Sequence, residues 1–202
     1  MLLDEELAHF IPKKDMLLTI GVFDGVHLGH KYLIGKLVEL AKRQNRLSGV
    51  VTFLQHPREV LSPSTKLPRL TDPAQKVSLL KNEGVDIVIA LSFIPELAEI
   101  GARQFVDLLQ KYLRMRGLVV GPDFALGRNR EGNIEFLRKL GEELNFSVTV
   151  VLPRRMHGLV VSSTAIRKAM AGGDIAKVNK LLGRPFSLQG RLSAEPIAAG
   201  LC

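Results

Sequence analysis

The stretch Leu17-Leu-Thr-Ile-Gly-Val-Phe-Asp-Gly-Val-His-Leu-Gly-His30 decides the fold. Leu17 to Val22 is β-branched or aliphatic on both faces, as suits a strand covered on two sides. Three glycines follow, Gly21, Gly25 and Gly29, and then a helical pattern from His30 to Arg46. In it Leu33, Leu37, Leu40 and Ala41 recur at three- and four-residue steps. A buried strand, a glycine-rich turn and an amphipathic helix are the opening half of a βαβ unit.

The same unit repeats outward. Gly49 to Phe53, Asp86 to Leu91, Gly117 to Gly121 and Ser147 to Leu152 read as further strands. Between them lie Pro73 to Glu83, capped by Thr71-Asp72 and stopped by Gly84, a stripe of Phe105, Leu108, Leu109, Tyr112 and Leu113, and another of Ile134, Leu137, Leu140 and Leu144. The alternation predicts an α/β, doubly wound, mostly parallel sheet of five to six strands with helices on both faces. Two more helices are expected, from Ala165 to Ala171 after Ser162-Ser-Thr164, and from Asp174 to Leu182 before Gly183 and Pro185. Residues 1–185 form one expected domain and 186–202 a short tail.

Composition narrows the function. Of 202 residues 46% are apolar, enough for a core. No apolar run is long enough to span a bilayer, and acidic Met1 to Phe10 does not read as a secretory signal. The single cysteine, Cys202, cannot form an intrachain disulfide, so a reducing, cytoplasmic setting is expected. A net charge of +8 favours phosphate-rich partners, or merely a basic surface. With 5% aromatic residues and no Trp, a base-stacking platform is disfavoured, and neither nucleic acid nor membrane is the expected partner.

In open α/β sheets ligands bind beyond the carboxyl ends of the strands. Those ends carry the Gly21–His30 turn, Leu54-Gln-His-Pro-Arg58, Gly121-Pro-Asp-Phe-Ala-Leu-Gly127 with Arg128 and Arg130, and, after Leu159-Val-Val161, Ser162-Ser-Thr-Ala-Ile-Arg167. His27 and His30, three apart at a helix entry, can both face one side of its first turn. Backbone amides there already favour phosphate, and two imidazoles add donors where charge builds during phosphoryl transfer. The turn is neither a P-loop nor a dinucleotide fingerprint, because the spacing of its glycines fits neither. A zinc reading has only His56 as a possible third ligand. Helix capping alone is the bland reading of the two histidines. For Ser162, Ser163, Thr164 and Arg167 it is an N-cap with a solvated arginine. Asp123 after Pro122 could be a turn residue or a magnesium or substrate contact, and His56-Pro57 could be only a rigid turn.

Gly21-Val-Phe-Asp-Gly-Val-His-Leu-Gly-His30 resembles the H-x-G-H signature of the nucleotidyltransferase superfamily, and its extended form resembles the bacterial FAD synthetase family. Thr52-Phe-Leu-Gln-His-Pro57, Val120-Gly-Pro-Asp-Phe-Ala-Leu-Gly127, Val161-Ser-Ser-Thr-Ala-Ile-Arg167 and Leu182-Gly-Arg-Pro-Phe186 resemble further segments of that family, in order. The resemblance implies a Rossmann-like nucleotidyltransferase domain with FMN adenylyltransferase activity: ATP and FMN, with magnesium, give FAD and pyrophosphate. It implies catalytic roles for His27, His30, Asp123, Ser163, Thr164 and Arg167. It implies ligand contacts from Gly21, Phe23, Asp24 and Gly29, and flavin contacts from Phe53, His56 and Pro57. No residue is singled out as a metal ligand.

This sequence departs from the family at Gln55, where a proline is usual, at Leu126, where a phenylalanine is usual, and at Val160, where some members carry a basic residue. Gln55 is expected to loosen the flavin flap. The chain has no P-T-A-N segment of the riboflavin kinase that most members carry, so riboflavin phosphorylation is not expected. The competing readings are a sibling adenylyltransferase for another phosphorylated acceptor, a flavin or nucleotide binder without catalysis, and a basic nucleic-acid binder.

Overall fold

Met16–Ile20 (β1) is buried at every position. Only a central strand hydrogen-bonded on both edges and covered on both faces achieves this. The computed structural model describes residues 3–62, 64, 67–156 and 159–187. In it β1 follows Leu3–Ala8 (α1) and precedes Leu28–Arg43 (α2), Leu47–Phe53 (β2), Pro57–Leu61 (α3), Pro73–Lys81 (α4) and Ile87–Leu91 (β3). Then come Pro95–Ala98 (α5), Ala102–Leu113 (α6), Met115–Val120 (β4), Ala125–Leu126 (β5), Gly132–Asn133 (β6), Ile134–Leu144 (α7) and Ser147–Val150 (β7). Arg155–Met156 (β8), Leu159–Val160 (β9), Ser163–Ala171 (α8) and Ile175–Leu182 (α9) complete the order.

The main sheet runs β3-β2-β1-β4-β7 with every neighbour parallel. Alternation along each strand sorts side chains to two faces. Leu17, Val50 and Val119 meet Ile34, Leu37 and Ala41 of α2 and Leu80 of α4. Leu18, Val51, Leu118 and Val120 meet Leu7 of α1, Phe105, Leu109 and Leu113 of α6, and Leu137 and Leu140 of α7. The chain moves outward from β1 on one side, then returns to build β4 and β7 on the other. The order therefore reverses between β1 and β4, where α/β sheets open a crevice for ligands.

The sheet has five strands, the lower of the two expected numbers. Leu159–Val160 pairs antiparallel with Arg155–Met156 as a separate two-stranded ribbon, and Val160 is exposed. The Ser162–Arg167 segment therefore reaches the rim from outside the sheet. Its helix packs with α9 around Leu70, Ile166, Val178 and Leu182, with Leu28 of α2 against the cluster. The short helices α1, α3 and α5 are too brief to leave a period in the sequence. Leu126 is buried in β5, and Cys202 and the tail beyond Ser187 lie outside the described residues.

Candidate active site

The turn after β1 has an unusual backbone. Phe23, Gly25 and Val26 take positive φ of 50°, 84° and 37°. Glycine adopts this readily, but a β-branched valine does so only where its surroundings enforce it. They do. Val26 N–H donates to Phe23 O at 3.1 Å, and Gly25 N–H to Thr71 Oγ1 at 3.2 Å. The Ser163 hydroxyl donates to Asp24 O at 2.9 Å, and Arg184 reaches Val26 O at 3.4 Å. Phe23 and Val26 are buried, so apolar burial opposes the backbone cost.

Asp24 anchors this clamp. Its carboxylate accepts from the N–H groups of Leu70 and Thr71, from the Thr71 hydroxyl, and from Arg167 Nη2. Arg167 Nε also donates to Pro68 O at 2.9 Å. Three distant segments thus meet at one buried carboxylate: the β1 turn, residues 68–71 and α8.

The turn delivers His27 as the N-cap of α2. Its Nδ1 accepts from His30 N–H at 3.2 Å, which leaves the ring proton on Nε2. The His27 and His30 rings stack with centroids 3.6 Å apart and planes 18° apart, and the edge of Phe23 supports His30 at 5.1 Å. His30 Nδ1 is buried and has no hydrogen-bond partner among the described residues. Burial pushes the His27 pKa down to about 4, and the cations of Arg167 and Arg184 act the same way. His30 is held well below the usual histidine range by burial, by His27 and by Lys76. The pair is therefore neutral near pH 7 and presents N–H donors without competing charge between the rings. Gly29 brings the second helix N-terminus close, since a Cβ there would lie 2.9 Å from Val161 O. Ser162 caps α8 by accepting from Ala165 N–H, and Thr164 is exposed on its first turn.

Beside this cluster lies a cleft of about 960 Å³ along the carboxyl ends of the strands. Gly21 and Val22 border it after β1, Phe53, His56 and Pro57 after β2, Phe93 after β3, and Asp123 and Phe124 after β4. Arg58, Arg128 and Arg130 give its walls positive charge. Phe53 and Phe93 meet edge to face at 5.3 Å. His56 is the N-cap of α3, its Nδ1 accepting from Arg58 N–H, and Pro57 opens the helix. Asp123 is exposed, with its backbone carbonyl held by Arg130 at 2.8 Å.

Apart from Thr164, exposed on the first turn of α8, the sequence candidates thus fall into two adjoining groups. His27, His30, Asp24, Ser163 and Arg167 form the clamp, with Phe23 and Gly29 shaping it. Gly21, Phe53, His56, Pro57 and Asp123 line the cleft. Gln55, expected to loosen the flavin flap, accepts at Oε1 from Phe93 N–H at 2.8 Å, which ties the β2 turn to the β3 turn. Sequence reading missed Thr71, Lys76, Phe93 and Arg184. Thr71 reads there only as part of a helix cap and Arg184 only as part of the Leu182–Phe186 segment, while Lys76 leaves one signal, a cation four residues before Leu80 on the buried stripe of α4.

Residues 11–165 match the family described as FAD synthetase. The bifunctional riboflavin kinase/FMN adenylyltransferase of Escherichia coli K12 is 38% identical over 182 residues, which cover 90% of this chain and 58% of that protein. The protein of the same description from Pseudomonas fluorescens is 40% identical over 175 residues, covering 86% of this chain and 56% of its own. The chain therefore spans a little over half the length of these relatives. Among solved structures, a macrolide-efflux protein from Streptococcus pneumoniae matches with a TM-score of 0.79 at 27% identity, over 89% of this chain and 59% of that one. With the match running from before β1 into α8, the chain belongs to the FAD synthetase family.

Proposed function

We propose that this chain transfers the adenylyl group of ATP to the phosphate of FMN, releasing FAD and pyrophosphate. The observation that carries the reading is the adjacency of two unlike sites. A neutral, stacked histidine pair at a helix N-terminus suits a triphosphate. The neighbouring cleft, with Phe53, Phe93 and Phe124 in its walls, suits a flat aromatic acceptor, and its volume is in the range of small-molecule sites.

In the proposed reaction an FMN phosphate oxygen forms a bond to the α-phosphorus of ATP, and the bond from that phosphorus to the β-bridging oxygen breaks. The nucleophile is already anionic, so no general base is required. His27 Nε2–H and the His30 ring donate to phosphate oxygens as charge shifts towards pyrophosphate, while the amides of α2 and α8 hold the chain of phosphates. Arg167 and Ser163 are bonded to Asp24. Their role in this reading is to fix the clamp and offer the remaining guanidinium donors to phosphate.

Magnesium fits as an ion carried by the substrate phosphates. The Asp24 oxygens are already engaged, which leaves the exposed cleft carboxylates Asp123 and Glu99 as those on offer. Bound there, the ion would neutralise phosphate charge. The domain assignment, residues 1–185 as the adenylyltransferase module, and a cytoplasmic location belong to the same proposal. Among the described residues no helix is long and apolar enough to cross a membrane.

Purified protein incubated with ATP, magnesium and FMN should form FAD, read by chromatography, with equimolar pyrophosphate. Product only with nicotinamide mononucleotide or phosphopantetheine would reassign the acceptor. Binding of ATP and FMN without pyrophosphate release would make the protein a sensor and overturn the catalytic reading.

A further inference from the structure

Lys76 is a lysine in the wrong place for ordinary surface duty. It lies mid-way along α4 and is only 6% exposed. Burying an ammonium is costly unless it is paired. Among the described residues no carboxylate lies within 4 Å of it, and its recorded hydrogen bond is to a backbone carbonyl, Phe53 O at 2.5 Å. Asp24 attracts it from a distance, but the Asp24 oxygens are taken by Leu70, Thr71 and Arg167. An ammonium has three donors, so the Phe53 carbonyl leaves two for something else.

Its surroundings indicate what that is. Lys76 lines a notch of about 20 Å³ together with Val22, Asp24, His56, Arg69 and Thr71. That is room for one water or one phosphoryl oxygen. Val22 and His56 are also walls of the large cleft, so notch and cleft share a boundary. Asp24, the anchor of the clamp beside the histidine pair, is a further wall of the notch. Lys76 thus stands where the acceptor cleft meets the histidine pair, which is where an attacking phosphate must sit.

We propose that Lys76 is the receptor for the phosphate of the acceptor and makes the site select a phosphomonoester over its dephosphorylated form. This rests on the adenylyltransferase reading and deepens it. An anionic oxygen entering the notch would take the two spare donors, beside Arg69, whose guanidinium is already paired with Glu59 at 2.7 Å. The α4 lysine would then compensate the repulsion between the incoming monoester and the triphosphate. An acceptor lacking phosphate would leave the buried ammonium under-satisfied and bind less well.

The test compares FMN with riboflavin on one protein, by quenching of flavin fluorescence, for the parent, Lys76→Met and Lys76→Arg. The parent should bind FMN roughly 10- to 100-fold more tightly than riboflavin. Lys76→Met should abolish that ratio by weakening FMN alone, and Lys76→Arg should restore part of it. In turnover, Lys76→Met should raise the KM for FMN by a similar factor and leave the KM for ATP within about twofold. An unchanged FMN-to-riboflavin ratio in Lys76→Met, or equal weakening of both flavins, overturns the proposal. The ratio is internal to each variant, so reduced stability does not obscure it, and Lys76→Gln supplies the same ratio if Lys76→Met does not fold. A parent that makes no FAD from FMN refutes the adenylyltransferase reading instead, and the flavin ratio still reports on Lys76 separately.

Discussion

Arg167 reaches back 143 positions along the chain to form a largely buried ion pair with Asp24, and this contact joins α8 to the turn after β1. The same carboxylate holds the backbone of Leu70 and Thr71. Breaking one partner of a buried pair leaves the other charge uncompensated. Asp24→Asn should therefore lower unfolding free energy by about 3–5 kcal/mol, measured by urea denaturation. It should also lower FAD formation, because the His27 turn and the α8 N-terminus lose their common anchor. A urea midpoint equal to that of the parent would show that Asp24 is not the keystone of the clamp.

Stability should fall on mild acidification. Folded His27 titrates at about 4, against the ordinary histidine value of 6.5. Above pH 6.5 native and unfolded chains both carry it neutral, and the native state keeps its full advantage. As pH falls from 6.5 towards 4, the unfolded chain takes the proton first and stability drains away. The loss from His27 is on the order of 3 kcal/mol once the pH is below about 4, and burial of His30 acts with the same sign. Urea midpoints at pH 7.5 and 5 should differ clearly for the parent. In His27→Asn the difference should shrink. A parent midpoint that is flat across this window would mean that the pair is not neutral when folded.

Gly29 and Gly35 lie six residues apart on α2 and should respond oppositely to alanine. A Cβ at Gly29 would meet Val161 O at 2.9 Å and the His27 ring at 3.1 Å. Backbone cannot yield cheaply, so Gly29→Ala should cost about 1–3 kcal/mol and depress adenylyl transfer by parting the two helix N-termini. A Cβ at Gly35 meets nothing within 4 Å. Gly35→Ala in a helix interior should stabilise by about 0.5–1 kcal/mol and leave turnover unchanged. Thermal melts with a parallel FAD assay decide both.

The sheet was legible because its strands are apolar on both faces and its longer helices carry clear stripes, so period alone separates them. The strand ends were legible for the same reason, and with them His27, His30, His56 and Asp123. What periodicity could not reveal was how distant segments close over the rim. Asp24 sits within a recognisable motif, yet its partners at Leu70, Thr71 and Arg167 are set by tertiary packing. Lys76 looks like an ordinary helix lysine until the position of Leu80 shows which face it shares. Leu159–Val161 has the composition of a strand, but its partner is the adjacent ribbon, and a two-residue pairing leaves no distinguishing pattern.

Gln55 carries the last prediction, because its side chain makes a tether that a proline could not make. A proline there would stiffen the turn through its own ring. Glutamine secures the turn by another route, since its side chain accepts from Phe93 N–H at 2.8 Å and Phe93 packs against Phe53. The cleft wall thus depends on a cross-link between the β2 and β3 turns. Gln55→Ala should leave the Phe93 N–H without its partner, cost about 1 kcal/mol of stability, and let the two aromatic rings separate. Weaker FMN binding with unchanged ATP binding is the expected result, measured by flavin fluorescence and by nucleotide titration. If ATP binding falls equally, the tether serves the whole rim and not the cleft wall.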